Sequence, residues 1–411
     1  FYGSVTELVV AALYCQGLYE GADICRLTGD RANAERYSAE ADKVRNIINR
    51  DYWNESRGYF NFGKMPDGTF TKDFLALTSS SIYFGDLDYA KSRKTALKYA
   101  DLRMSGDWGV SSVADTCRLE SYGAYSEDNI WPLFTGSVAL AEFGFGRYIQ
   151  GFSHIMHNLL AYKGEFHGRI PEVLNGRTYR SNGITRNQCW SETMTVQPIL
   201  EGMVGFCPDA LNASARLAPR LPLDWDWFKV SNLRVGEGRL NMSMTRSTGE
   251  IRYLVTSDKP LDVTMMPSYG IGTEILSVNV DGTETAFSVE DDEEYTTIRF
   301  HVKVRGSSEI VVRCREKAAP LPHYRTPGAR DTRRYSNIIF QKVVNGDLVL
   351  TVQGLSGTKD SISVYAPGGV RCVEGAEGFV KSGSDVYDVA VDFPATKDKS
   401  VTKQVTIIHN I

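Results

Sequence analysis

The sequence predicts an α-then-β multidomain protein, in which a run of helical hairpins is followed by antiparallel β-sandwich modules. Three observations carry this. Up to about Pro219, apolar residues recur at three- and four-residue steps, the spacing that lines one face of a helix. Beyond Pro219 the period falls to two, with turn residues between the runs. The 411 residues exceed what one domain needs at roughly 150 residues each.

In the first part, Tyr37, Ala41, Val44 and Ile48 form one helical stripe. Phe134, Val138, Ala141 and Phe145 form a second, and Val196, Ile199, Met203 and Phe206 a third. Trp131-Pro132 marks a helix start, because proline suits the first turn, where its missing N–H costs nothing. Ser191 fits the cap or first turn of the next helix, and Glu192 gains from the positive end of that helix's dipole. Between the helices, loops 54–70, 106–129 and 163–188 are rich in Gly, Asp, Asn and aromatics. They are longer than helix–helix connections require, and long ordered loops on a helical scaffold commonly carry function.

After Pro219, residues 229–235, 239–245, 251–256, 261–266, 296–304 and 309–314 read as strands. Asp281-Gly282 and Ser247-Thr248-Gly249 supply turns. Strands at this spacing with no helices between them predict an antiparallel sandwich. Residues 317–334 carry three prolines and several charges and read as a connection. Residues 348–352, 361–365, 386–391 and 402–408 then read as further strands. The expected division is 1–218 helical, 219–316 sandwich, 317–333 connection and 334–411 second β module.

Composition narrows the function. Hydrophobic residues make up 42% and charged residues 23%, which excludes a largely disordered chain. Lys+Arg 46 against Asp+Glu 50 gives a net charge of −4, so no basic surplus points to nucleic acid or an anionic membrane. No apolar run reaches the roughly 18 residues of a membrane helix. The seven cysteines (Cys15, Cys25, Cys117, Cys189, Cys207, Cys314 and Cys372) show no metal-ligand spacing and read as scattered buried thiols. Nucleotide-binding glycine loops, a zinc-protease helix and a serine-hydrolase elbow are all absent from the sequence. His154 and His157 share a helix face, but without carboxylate or thiol companions in sequence they read as packing or surface residues. No cofactor and no metal are expected.

The residues richest in chemistry lie between Tyr125 and Trp190. Trp131-Pro132-Leu133-Phe134-Thr135-Gly136 is followed by Ala139, Ala141, Glu142, Phe143, Gly146 and Arg147. Glu172-Val173-Leu174-Asn175-Gly176 comes next, and then Gln188, Trp190 and Ser191. Upstream stand Asp51-Tyr52-Trp53-Asn54 and Gly58-Tyr59-Phe60; downstream stand Leu221-Pro222-Leu223-Asp224-Trp225 and Leu233-Arg234-Val235-Gly236. In this order the pieces resemble the bacterial glycogen-debranching-enzyme-type family, the amylo-α-1,6-glucosidase-like six-hairpin glycosidases. The resemblance covers roughly residues 1–260.

That resemblance implies an (α/α)6 toroid and an inverting hydrolase of α-glucosidic or related oligosaccharide linkages. Inversion needs a protonated carboxyl to supply the leaving group's proton and an ionised one to activate water, about 6.5–9.5 Å apart. Glu172 matches the family's general base. On its own terms Glu172 also stands in a shaped loop, after Pro171 and before the turn pair Asn175-Gly176, though a hydrogen-bonding role fits as well. The family's acid is usually an aspartate ahead of the hairpin that begins here near Val5, so the resemblance implies an acid upstream of Phe1. Within the chain, Asp128, Glu7 and Asp107 are substitutes, Glu7 being read as part of the first helix. Expected sugar contacts are Glu127, Asn129, Trp131, Trp190, Glu192 and Tyr59; indole and phenol rings suit the C–H faces of sugars. Helix capping is the alternative role for Glu127, Asp128 and Glu192. The 218 helical residues are few for a six-hairpin ring, so the sequence is expected to be the C-terminal portion of a longer protein. The alternatives are a non-catalytic carbohydrate-binding toroid and a sugar epimerase on the same ring, which would use histidines. The expected partner is an oligosaccharide or polysaccharide, with no nucleic acid and no membrane.

Overall fold

The computed structural model describes residues 6–71, 74–114, 129–163, 168–176, 179–182, 185, 187–291, 293–327 and 336–410. These gather in two compact units. The first is Phe1–Arg147 with Ser153–Pro198 and Tyr324–Asn337; the second is Tyr148–Phe152 with Ile199–His323 and Ile338–Ile411. Helices come first and antiparallel sheets follow, as the change of period predicts.

Seven α-helices are described: α1 (Leu8–Thr28), α2 (Arg31–Asp51), α3 (Thr78–Phe84), α4 (Tyr89–Leu97), α5 (Pro132–Gly144), α6 (Tyr148–Leu160) and α7 (Cys189–Gln197). The α1–α2 hairpin turns at Gly29, whose φ of +83° a glycine adopts without steric cost. Asp30 then caps α2 by accepting from the Asn33 amide at 3.2 Å. α1 packs on α2 and α3, and α5 packs on α3, α4 and α7. The two stripes read from sequence on α2 and α5 face inward: Ala41, Ile48, Val138 and Ala141 share one core with Leu8, Cys15, Phe60 and Tyr99. Each fully buried Leu or Ile there contributes about 1.5–3 kcal/mol. On its other side α1 exposes Val10, Leu13, Tyr14, Ile24 and Leu27.

Two local readings change. Glu7 does not belong to α1: with φ −118° and ψ 133° it is extended, caps the helix, and with Thr6 pairs against Gly63–Lys64. Helical spacing extends through Glu7, but strand pairing takes its backbone. The third stripe spans a break as well. α7 ends at Gln197 and continues as a π-helical turn, Pro198–Met203, where proline has no N–H to donate to the helix.

In the second unit, one six-stranded sheet runs in the order Thr283–Glu284, Glu274–Val280, Ser307–Arg315, Glu250–Ser257, Gly238–Ser247, Trp227–Val235. A second sheet runs Ser268–Gly270, Tyr295–Val304, Leu261–Met265, Ser214–Leu217, Cys207–Asp209, with Ser288–Asp291 added on Tyr295–Val304. The β layer therefore begins before Pro219. It is also not wholly antiparallel, because Leu261–Met265 pairs parallel with Ser214–Leu217. Two four-stranded sheets complete the unit. They enclose Leu348, Leu350, Val352, Ile362, Val364, Val389, Val391, Val405 and Ile407, the alternate residues of their strands. Ala319–Pro320, inside the stretch read as a connection, is a short strand on Val364 and Tyr365.

Cysteine burial is mixed. Cys15 and Cys314 are buried, but Cys189, Cys207 and Cys372 are exposed, in a first helical turn and on strands at sheet edges. Six cysteines are free among the described residues; Cys117 lies outside them. No helix among the described residues is long and apolar enough to cross a membrane.

Candidate functional site

Two of the long loops singled out in the sequence, 106–129 and 163–188, meet in the first unit as a ladder of short extended segments. Leu75 bridges Val113, Ser111 bridges Ile130, Ile130 bridges Leu174, and Leu174 bridges Ser181, all antiparallel. Ile130 and Leu174 exchange both main-chain bonds, at 3.0 and 2.8 Å. Hydrophobic side chains hold the ladder: Trp108, Ile130, Leu174 and Tyr179 form a buried cluster, with the Trp108 and Tyr179 rings 5.4 Å apart.

Glu172 lies on this ladder, two residues before Leu174, and is 8% exposed. Its amide donates to the Thr185 carbonyl at 3.2 Å. Asn129 lies next to Ile130 and is 2% exposed. Its side-chain oxygen accepts from Asn182 Nδ2 at 3.3 Å, and its carbonyl accepts from the Ser112 amide at 3.2 Å. Loops 106–129 and 163–188 thus bring a buried carboxyl and a buried amide to neighbouring segments.

A second feature of the layer is the hairpin formed by Ser105–Gly106 and Gly109–Val110, with Asp107 and Trp108 as its two-residue turn. Gly109 has φ +127°, and a Cβ there would stand 2.6 Å from Thr135 Oγ1, so only glycine lets the hairpin lie this close to α5. The Val110 amide donates to Thr135 Oγ1 at 3.1 Å. Asp107 forms an ion pair with Arg325, its side chain 10% exposed. Burial, and after it the Asp107 charge, raises the Tyr179 phenol well above its ordinary range. Trp108 is 1% exposed, and its indole N–H has no acceptor among the described residues. Trp108 and Tyr179 escaped the sequence reading. The signal for Trp108 was the pair of glycines that brackets Asp107-Trp108.

The remaining candidates divide. Trp131 caps α5 in extended conformation, and its ring stacks on Phe134 at 5.4 Å. Pro132 takes the first helical position, as its chemistry predicts. Trp190 is 44% exposed in the first turn of α7, and Glu192 lies in the same turn, half-buried. Ser191 is buried there. Tyr59 packs on Phe74 with ring centroids 4.6 Å apart, and its hydroxyl accepts from Arg57 at 2.9 Å. Glu7 is half-buried in its short strand. Glu127 and Asp128 lie outside the described residues.

The histidine pair on α6 is buried, and its neighbour is a carboxyl that sequence spacing does not reveal. His154 Nδ1 lies 2.6 Å from Glu142 Oε2, and its Nε2 lies 3.0 Å from Ser105 Oγ. Among the described residues no three His, Cys, Asp or Glu side chains gather as metal ligands. A pocket in the second unit is lined by Tyr148, Phe152, Arg220, Tyr269, Tyr295 and Pro320 among others. No lining residue carries a carboxyl, so it holds no acid–base pair.

No protein-family model and no curated protein matches the chain. Solved structures do show likeness of fold. A sialidase superposes with TM-score 0.52 at 16% identity, covering 71% of this chain and 26% of its own. An α-L-rhamnosidase from Dictyoglumus thermophilum gives TM-score 0.46 at 13% identity, over 72% of this chain and 31% of its own. One from Streptomyces avermitilis, complexed with L-rhamnose, gives 0.44 at 13%, over 76% and 28%. The chain therefore spans between about a quarter and a third of the length of these structures. Over the part matched, the fold is similar to that of the sialidase structure.

Proposed function

We propose that this chain belongs to an inverting glycoside hydrolase of α-glucosidic or related oligosaccharide linkages, built on an (α/α)6 toroid of the glycogen-debranching type. The observation that carries the reading is Glu172 itself: a nearly buried carboxyl two residues before Leu174 on the loop ladder, whose neighbouring segments also carry the buried amide of Asn129 and the Trp108–Tyr179 pair packed on Leu174. Such a mixture suits a sugar, whose C–H faces pack on rings and whose hydroxyls need polar partners.

In this reading Glu172 takes a proton from the attacking water. Asn129 accepts from or donates to sugar hydroxyls, and Trp131 and Trp190 offer ring faces. Glu192 and Tyr59 complete the substrate contacts. Asp107 is already ion-paired with Arg325, and a paired carboxylate is a poor proton donor, so the acid is a different carboxyl. The fold likeness to a sialidase supports a glycosidase scaffold. The epimerase alternative has less support, because both ring nitrogens of His154 are engaged inside the protein.

The test is hydrolysis of aryl α-glucosides and malto- and isomalto-oligosaccharides, with the product anomer followed by NMR. Glu172→Gln is expected to lower turnover by about 10²–10⁴-fold while the protein stays folded. Near-normal turnover in that variant overturns the assignment. Oligosaccharide binding with no hydrolysis by the full-length protein favours the non-catalytic alternative.

A further inference from the structure

We propose that Arg325 is a positioning residue, and that Arg325 and Asn337 together work as a clip that fixes the Asp107-Trp108 hairpin. The proposal rests on the reading of the loop layer as a sugar site. Asp107 and Trp108 form the tip of a hairpin only two residues long on each side. So short a hairpin is marginal by itself and takes its shape from its anchors.

Three anchors come from the helical scaffold or its neighbourhood. Thr135 on α5 receives the Val110 amide at 3.1 Å. His154 on α6 meets Ser105 Oγ at 3.0 Å. Asn337 donates from one amide nitrogen to the Ala100 and Ser105 carbonyls, at 2.8 and 3.1 Å. All three act at the base of the hairpin. At the tip, Arg325 Nε pairs with Asp107 Oδ2. Arg325 and Asn337 therefore grip the two ends of one small element, and they come from a stretch of sequence far from the rest of the first unit.

The pairing has a chemical consequence. A guanidinium is planar and permanently charged, so it fixes both the direction and the ionisation of its carboxylate. With one oxygen directed at Arg325, Asp107 Oδ1 keeps a defined position in the loop layer. The tip of the hairpin is thus ordered before any substrate arrives, and little ordering remains to be done on binding. Trp108, next in sequence and in contact with Ile130, Leu174 and Tyr179, has its ring plane fixed by the same turn. Residues 317–334 look like a connection because prolines and charges dominate them; the charge of Arg325 is what the loop layer uses.

Amide hydrogen exchange over residues 104–111, measured by mass spectrometry on the whole chain, tests the clip without any substrate. Arg325→Gln is expected to speed exchange at the hairpin by about tenfold or more, with α1, α2 and α5 unchanged. Arg325→Lys, which keeps the charge but loses the fork, should fall between. Asp107→Asn should resemble Arg325→Gln. In parallel, on an aryl α-glucoside, Arg325→Gln should raise KM and lower kcat, and Arg325→Lys should recover part of both. Hairpin exchange equal to the unaltered protein in Arg325→Gln overturns the proposal. If Arg325→Gln does not fold, the same readout on Arg325→Lys decides. Faster hairpin exchange in Arg325→Gln, with Glu172→Gln as active as the unaltered protein, upholds the clip and removes the glycosidase reading instead.

Discussion

The imidazole of His154 and the carboxyl of Glu142 face each other across α5 and α6, with Nδ1 2.6 Å from Oε2 and both residues nearly or fully buried. The second ring nitrogen continues to Ser105 Oγ, which donates to the Tyr99 carbonyl. One imidazole thus joins two helices to the base of the Asp107 hairpin. Burial, and after it the Glu142 charge, holds the Tyr99 phenol well above its ordinary range. Removing the ring strands a carboxyl that has no exposure to water. His154→Leu should therefore cost about 1–3 kcal/mol as an unsatisfied buried group, and more for a charged one. Urea unfolding measures this. A midpoint equal to the unaltered protein would show that the contact contributes nothing.

Gly136 is the second point at which α5 is fixed. A Cβ there would stand 1.9 Å from the Met194 carbonyl oxygen, on the backbone of α7. Backbone cannot rotate away as a side-chain tip can. Gly136→Ala must push α5 and α7 apart, and overpacking of this kind costs about 1–3 kcal/mol, outweighing the helix propensity that alanine gains. Ser137 next to it packs on Ser79 and Ser80 by short hydroxyl contacts and serves as a comparison: Ser137→Ala should be milder. Thermal melts of the two variants in parallel settle the order, and a stable Gly136→Ala would contradict the close crossing.

Much of this architecture was legible from the sequence. Period gave the change from helix to strand, and Trp131-Pro132 gave the start of α5, because those signals are local. The failures are non-local. Glu7 fits a helical stripe, yet Gly63 and Lys64 pull it into a strand. Ser214–Leu217 is too short to show a period and gains its place by parallel pairing with Leu261–Met265. In the site, Glu172 stood out through its loop, whereas Trp108 and Tyr179 did not. Their meeting depends on the bridge of Ile130 to Leu174, and no spacing encodes it.

In the second unit, Arg246 and Glu316 form an ion pair with 6% and 3% side-chain exposure. Tyr365 donates to the other Glu316 oxygen at 3.1 Å. Burial, and after it the Glu316 charge, pushes the nearby Cys314 thiol up to about 12. Losing one partner leaves the other charged and buried, so Arg246→Met should cost about 3–5 kcal/mol. The pair as a whole need not stabilise, because both charges were taken from water. Arg246→Met combined with Glu316→Leu should recover most of that loss. A double variant no better than Arg246→Met alone would contradict this account.

His409 gives the second unit a dependence on pH. It closes the strand Ser400–His409, is 5% exposed, and pairs with Val370. Burial lowers its pKa from the ordinary 6.5, and Lys317 adds to the lowering, while the Ile407 main chain and Asp347 work the other way. The imidazole is therefore neutral in the folded chain at pH values where the unfolded chain already begins to bind a proton. Stability from this group is complete above the unfolded value and is lost as pH falls through it towards the lower folded value. His409→Phe removes the titration and keeps an apolar ring of similar shape. The difference in unfolding free energy between the unaltered protein and His409→Phe should hold steady from about pH 7 to 8 and move in favour of the variant as pH falls below about 6.5. Reading the difference cancels the carboxylates that both proteins share. A difference that stays constant from pH 8 to pH 5 would mean that His409 titrates alike in the folded and unfolded chains.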